Sequence, residues 1–500
     1  MSGNSWQTTI KTVASDLNDR RWTLVLDQGG HATRALVFDE TGDTIAEYEV
    51  EIGTSHPSPG RVEHDPGKLV ASVAECLDRL AAQLGTKTAK VRSAALCTQR
   101  SSIACWSKKT GDPLSPVISW QDTRAAESLE GLSLSKPDVA EITGLPCSPH
   151  YGASKLRWCL EHLADVQSAR QENDLAIGPL ASFILFSLSR GEVFAVDPCN
   201  ASRTLLWDIR TGKWSSRLLN AFAIDESLLP TIQPNRHAWC DLRLGNTSVP
   251  LTVVTGDQSA VPFAFADNPI DQLFLNLGTG AFLQRPVAQY LACEGLLRSV
   301  LLQDGHDAMF ALEGTINGAG AALSWFAESQ QLDEDELFAQ LPKWLANFTD
   351  PPLFVNAIGG LAAPFWVVDA ESGFIGDGDI GEQAVAVTES IAFLIMANFQ
   401  AMESCMPGVK NIIASGGLAG LDGLLQRVAD LCNVPVRRST NLQATAYGGA
   451  RLANPALPVL TVDDEFVPVP ENAIAINDRY GEWRKHLQQA IGKKKAGAPR

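Results

Sequence analysis

The chain has 500 residues, 45% of them hydrophobic and 19% charged, the balance of an ordinary globular protein with apolar material for two or more cores. A formal charge of −17 argues against nucleic acid as a partner, because phosphate binding rests on clustered cations. No stretch approaches the ~18 apolar residues of a membrane span, the longest run being Ile391–Ala397. The first residues, MSGNSWQTTIKTVASDLNDRR, lack the apolar core of a secretory leader, so a cytoplasmic protein is expected. The basic triplet Lys493-Lys494-Lys495 lies in a Gly/Ala/Pro tail and reads as a frayed, solvated end. The ten cysteines show no C-x-x-C pairing and read as reduced core thiols, not a disulfide frame or zinc site.

In chain order, Trp22–Asp39 opens with an apolar run to Leu26, then Asp27, a turn holding Gly29 and Gly30, Arg34, and a second apolar run. This is a hairpin outline, and its glycines would let backbone N–H groups approach an anion. Gly60–Pro66 turns into a helix that runs from Pro66 through Leu84 and stops at Gly85. Val91–Cys97 reads as a buried strand ending at Thr98-Gln99-Arg100, Ile103–Trp106 as another, and Val117–Trp120 as a short one. Gln121–Arg124 then opens a helix, and helical spacing returns at Lys155–Leu163. Leu251–Thr255 is an apolar strand ending in Gly256-Asp257-Gln258, with helix predicted over Ala260–Ala266. A boundary near Asp267–Asp271 divides the chain into domains of 1–267 and 268–500.

The second half opens on Gln272–Arg285, a hairpin outline like the first, around Gly278-Thr279-Gly280. Asn317–Ala322 is a run of small residues suited to close packing. A long apolar helix is expected over Gln383–Ala401, and Ile412–Gly417 is a strand entering a glycine turn. The helix Leu421–Cys432 follows, with Leu421, Leu424, Leu425, Val428 and Leu431 on one face. Strands alternating with helices give an α/β class, and two like hairpins suggest paired domains around one nucleotide.

Polar groups gather just past predicted strand ends: Asp27, Arg100, Trp120, Asp257, Thr279 and Ser415-Gly416-Gly417. Open α/β sheets place ligands there. A strand-end aspartate can hold Mg²⁺, act as a general base or merely cap a helix, and capping is the commonest of the three. Two of them, each beside a glutamine, favour function: phosphoryl transfer needs one carboxylate on the metal and another to take a hydroxyl proton. Trp120 reads equally as a core aromatic, Arg100 as half of a structural ion pair, and His150 as a loop histidine. Neither a Walker A motif nor G-x-G-x-x-G is present.

With those residues in view, the chain resembles the FGGY carbohydrate kinases over nearly its whole length. Within them it resembles the glycerol kinases, and TQRSS with ISWQDTR resembles the divergent "glycerol kinase 5" type. The matching segments, in the family's order, are LDQGGHATRALVFD, GRVEHDP, TQR, SWQDTR, CNASRTLLWDI, GDQSA, NLGTGAF, ALEG and SGG. The resemblance implies a two-domain actin-like (ribonuclease H-like) ATPase fold with the active site in the interdomain cleft. It implies MgATP-dependent phosphorylation of a primary hydroxyl on a small polyol or sugar, and a homodimer at the family level. Asp257 matches the catalytic base, with Asp27 and Asp257 the carboxylates near Mg²⁺. Gly29, Gly30, His31, Thr33 and Arg34 match the first phosphate hairpin, and Gly278 and Thr279 the second. Gly320 and Ser324 match nucleotide-side positions; Gly417, Leu418 and Asp422 match the adenosine pocket. Arg100, Ser101, Trp120, His150, Gln258 and Phe282 match the polyol positions.

The departures are specific. Glycerol kinases usually read D-Q-G-T-T-S-S-R in the first hairpin, whereas Gly30 and His31 here replace two hydroxyl donors. In the polyol pocket the usual Gln-Arg-Glu becomes Gln99-Arg100-Ser101, and the usual tyrosine becomes His150. A lost buried hydrogen-bond partner costs ~1–3 kcal/mol, and the smaller serine leaves room for a longer ligand. Asp241–Ser248 lacks the Gly-Gly-x-Arg loop of fructose-bisphosphate-regulated enzymes, so that regulation is not expected. A glycerol-like or slightly larger polyol is the leading acceptor. The alternatives are a ketopentose (xylulose or ribulose) and a catalytically impaired nucleotide-binding regulator.

Overall fold

The structure is a computed structural model that describes residues 22–305, 307–439, 441, 443–462 and 464–495, with the side chains of 493–495 excepted. The first 21 residues lie outside these described residues, whereas the main chain of the basic triplet Lys493-Lys494-Lys495 ends the helix Pro470–Lys495 and is not a frayed tail. The chain forms two compact units. The first comprises the described residues up to Asn268 with Ser299–Met309 and Gln443–Leu460; the second comprises Pro269–Arg298, those of Phe310–Leu442, and those from Thr461 onward.

The first unit is organised on a six-stranded sheet. Strands β1 (Trp22–Gln28), β2 (Ala32–Phe38) and β3 (Thr44–Glu51) form an antiparallel meander. On the other side of β1 lie β4 (Val91–Thr98) and then β7 (Thr247–Gly256), both parallel to it, with β6 (Arg236–Leu244) antiparallel at the edge. Helix α1 (Pro66–Leu84) forms where its capping residues dictate: the Asp65 carboxylate accepts the Lys68 N–H at 3.0 Å, Pro66 supplies the first turn, and Gly85 ends it at φ 55°. Leu69, Val73, Cys76, Leu77, Leu80 and Leu84 recur at helical spacing and bury one face in the core of this unit. A five-stranded sheet includes β5 (Ile103–Ser107), paired with Leu175–Pro179 on one side and Val117–Ile118 on the other.

Gln121–Arg124 does not open a helix. Asp122, fully buried, accepts from Arg124 through both oxygens and from the Val62 N–H, so its carboxylate clamps a turn instead of capping a helix. Helix α2 (Gly152–His162) starts three residues earlier than the spacing of Lys155–Leu163 suggests, and α3 (Asp257–Phe265) starts at the aspartate itself.

The helix Ala444–Ala453 packs on α3, β1 and β4, which is why its segment clusters with the first unit. Glycines permit the approach: a Cβ at Gly448 would lie 2.0 Å from the Ala260 carbonyl oxygen, and one at Gly449 2.6 Å from Cys97 Sγ. Gly448→Ala is therefore expected to destabilise the protein by about 1–3 kcal/mol, read as a lower urea midpoint with little change in slope.

The second unit repeats the plan. Strands β8 (Gln272–Leu277) and β9 (Ala281–Val287) form the hairpin, extended in the same sheet by β11 (Asp307–Ile316) and β10 (Leu297–Asp304), of which the run Ser299–Met309 clusters with the first unit. On its other side β8 runs parallel to β12 (Asn411–Ser415), itself parallel to β13 (Val436–Arg438), with Asp464–Phe466 at the edge. Helix α4 (Gly320–Gln330) follows the hairpin sheet. Helix α5 (Ile380–Cys405) carries a capping box between Asp379 and Glu382, and 89% of its most apolar window is buried in the protein. Its hydropathy alone matches a membrane span; its surroundings are those of a core helix.

One reading of the cysteines is overturned. Cys293 and Cys405 form a disulfide across 112 residues, with Cα atoms 6.0 Å apart, and the other eight are free. Sequence spacing could not show it, because the pairing depends on where the end of α5 meets the segment after β9.

Candidate active site

Parallel pairing gathers the acidic groups. β4 lies between β1 and β7, with Gln28 and Gly256 both opposite Thr98, so the chain leaves all three strands at one edge of the sheet. Asp27 is the penultimate residue of β1, Arg100 follows β4, and Asp257 follows β7. Arg100 Nε stands 3.7 Å from Asp257 Oδ1, which also accepts the Gln258 N–H at 2.6 Å. The Asp257 side chain keeps 25% of its surface exposed, as a group that must meet a ligand requires. A Cβ at Gly256 would lie 2.6 Å from the Arg100 stem, so only glycine lets the arginine reach the aspartate. Burial, and then the charge of Asp257, push the Asp27 carboxyl up to about 7. That edge of the sheet resists a second negative charge.

The hairpin turn closes through Gly29 N–H to the Ala32 carbonyl at 2.9 Å. A cavity of about 480 Å³ opens beside it, lined by Asp27, Gly29, Gly30, His31, Ala32, Arg34, Glu49, Glu51 and Ile52. Arg34 pairs with Glu49 across the β2–β3 ladder and helps hold Asp27 down. Thr33 is placed differently from its hairpin neighbours: it is fully buried, with its hydroxyl 2.7 Å from that of Ser72 on α1. Alternation along β2 puts it on the core face.

The acceptor-side residues come from three loops. Trp120 is 41% exposed, and its indole nitrogen comes within 3.9 Å of where a Cβ on Gly30 would stand. Its main-chain N–H donates to Ser102 Oγ at 3.0 Å, and the Ser102 hydroxyl donates to Gln99 Oε1 at 2.7 Å. Gln99 Nε2 reaches the Gly29 carbonyl at 3.0 Å, linking this loop to the hairpin. His150 Nδ1 lies 3.3 Å from the Trp120 carbonyl, so that nitrogen carries the proton in the bond. Ser101 adopts φ 68°, a left-handed conformation uncommon for serine. Sequence alone assigns Ser102 no role, marks Gln99 only as part of the Gln99-Arg100-Ser101 triplet and reads Asp122–Arg124 as a helix start, because the contacts that define them join segments far apart in the chain.

In the second unit, glycines build a turn cluster. Gly278 N–H donates to the Gly280 carbonyl at 2.9 Å, and the first helical N–H groups of α4 return to the turn, Gly320 to Gly278 at 3.0 Å and Ala321 to Thr279 at 2.9 Å. Gly416, at φ 94°, would place a Cβ 2.5 Å from the Leu277 carbonyl oxygen. Thus Gly278, Thr279, Gly320 and the approach to Gly417 share one place, with Ser324 one turn along α4. Leu418 is buried in the core. Asp422 opens the helix Asp422–Cys432, where Arg438 Nη1 meets its carboxylate at 2.6 Å. Phe282 lies on β9, 48% exposed.

Comparison with known proteins accounts for this arrangement. Residues 22–271 match the N-terminal domain of the FGGY family of carbohydrate kinases, and residues 273–457 match its C-terminal domain. A glycerol kinase of Ralstonia nicotianae is 32% identical over 89% of this chain and 91% of its own length; one of Geobacter sp. is 30% identical over 94% and 99%. Among solved structures, Plasmodium falciparum glycerol kinase with ADP superposes at a TM-score of 0.83, with 23% identity over 94% of this chain and 98% of that one. Xylulose kinase from Rhodospirillum rubrum superposes at 0.85, with 20% identity over 94% and 99%. The fold is the two-domain actin-like ATPase fold. With both family domains present in order, the chain belongs to the FGGY family of carbohydrate kinases and is an ATP-dependent kinase of a small polyol or sugar.

Proposed function

We propose that the enzyme transfers the γ-phosphoryl group of ATP to a primary hydroxyl of a glycerol-like or slightly larger polyol. The observation that carries this is the pair Asp27 and Asp257 at one sheet edge, close enough that the charge of one helps lift the other to about 7. Asp257 takes the hydroxyl proton as the oxygen attacks, oriented by the Gln258 N–H and by Arg100. Asp27 and Asp257 would hold Mg²⁺: two carboxylates that resist sharing negative charge suit a hard cation that completes its shell with phosphate and water. When bound, the ion offsets charge on the transferring phosphate.

Arg100, Trp120, His150 and Gln258 orient the acceptor, and the backbone of Gly29–His31 meets its phosphate-bound side. Gly278, Thr279, Gly320 and Gly417 offer main-chain groups and close approach for the nucleotide. The first domain supplies the acceptor site and base, the second the nucleotide side. Relatives at about 30% identity carry the name glycerol kinase, which favours a polyol. Ser101 and His150, at positions where that group usually has glutamate and tyrosine, favour one longer than glycerol.

A coupled ADP-release screen across glycerol, tetritols, pentitols and ketopentoses tests the reading. Saturable turnover with a polyol is expected. Preference for a ketopentose would replace the acceptor, and ATP binding without turnover on any acceptor would sink the proposal.

A further inference from the structure

Lys155 sits on the first turn of α2 with no exposed surface. Its ammonium donates three hydrogen bonds, all to main-chain carbonyls: Ser101 at 2.9 Å, Ser119 at 2.9 Å and His150 at 2.8 Å. Three donors meet three acceptors, so the group is saturated. Each carbonyl belongs to a different acceptor-side loop. Ser101 follows β4, Ser119 immediately precedes Trp120, and His150 precedes α2.

We propose that Lys155 is a positioning residue for the acceptor, its ammonium fixing the three loops that carry Arg100 with Ser101, Trp120 and His150 in one mutual geometry. The inference rests on the acceptor site proposed above and deepens it. Ser101 supplies an independent observation. Its left-handed φ of 68° is costly for a side chain with a Cβ, and such a conformation persists only where the surroundings over-determine it. The bond from Lys155 to the Ser101 carbonyl is such a constraint.

Charge balance points the same way. Burial pushes the Lys155 ammonium down to about 7, with Asp122 opposing that shift and Arg124 adding to it. An apolar side chain would avoid that desolvation cost but would leave the three carbonyls without their shared donor. What the ammonium supplies, and an apolar group cannot, is a common point for three otherwise separate carbonyls.

The test compares wild type with Lys155→Met, which keeps chain length and removes every donor. Steady-state kinetics with the acceptor identified for the wild type are joined to calorimetric nucleotide binding. Acceptor KM is expected to rise about ten- to a hundredfold, while nucleotide Kd stays within about twofold and kcat within about threefold. A purely structural role would lower the active fraction, hence kcat, and leave acceptor KM unchanged; that result overturns the proposal. Should Lys155→Met not fold, Lys155→Gln, which retains two donors, carries the same test with a smaller rise in acceptor KM. An inactive wild type would defeat the kinase reading and this inference together, whereas an active wild type with unchanged acceptor KM in the variants defeats the inference alone.

Discussion

Asp257→Asn is expected to lower kcat by about 10²–10⁴-fold while nucleotide affinity, measured by calorimetry, stays within a few-fold of wild type. The amide keeps an oxygen for the Gln258 N–H, so the local main chain has no reason to move. It cannot take a proton, and it removes the negative partner of Arg100. The loss should persist at saturating acceptor, because the missing interaction acts in the transition state and not in ground-state binding. A variant that keeps more than a tenth of wild-type kcat would remove Asp257 from the role of base. A protein that only binds nucleotide would show no turnover in either form and an undiminished nucleotide response in the variant.

Magnesium binding is expected to weaken as pH falls through about 7. The Asp27 carboxyl, lifted to that value by burial and by Asp257, must shed its proton before a cation can occupy it. Occupancy by the proton is small at pH 8 and dominant at pH 6, so affinity should fall about tenfold across that interval. Calorimetry in two buffers of different ionisation enthalpy would read the released proton directly. Asp27→Asn should lose both the proton release and most of the affinity; a flat profile in wild type would exclude Asp27 as a ligand.

The same shift has a stability sign. The unfolded carboxyl ionises near 3.8, whereas the folded one keeps its proton up to about 7. Between those values the folded state binds the extra proton, so metal-free protein loses stability as pH rises through that window. The melting temperature of wild type in chelator should therefore fall relative to that of Asp27→Asn across the same range.

Local signals in the sequence determined a good part of this protein. The Asp65 cap, Pro66 and Gly85 mark α1 at both ends, and the glycine turns at Gly29 and Gly278 mark both hairpins, because caps and turns depend on residues a few positions apart. The run of ordered motifs identified the family, and the two strand-end aspartates stood out for the chemistry they could do together. Tertiary structure alone decided what lies between distant segments. Parallel pairing of β1, β4 and β7, with 148 residues between the last two, brings Asp27, Arg100 and Asp257 to one edge. Packing turned Thr33 inward to Ser72, spent Asp122 on a clamp instead of a helix cap, joined Cys293 to Cys405 and returned Ala444–Ala453 to the first unit. Lys155 is the sharpest instance: in the sequence it is one lysine in a helical pattern, and its meaning resides in three carbonyl oxygens that only the folded main chain brings within reach.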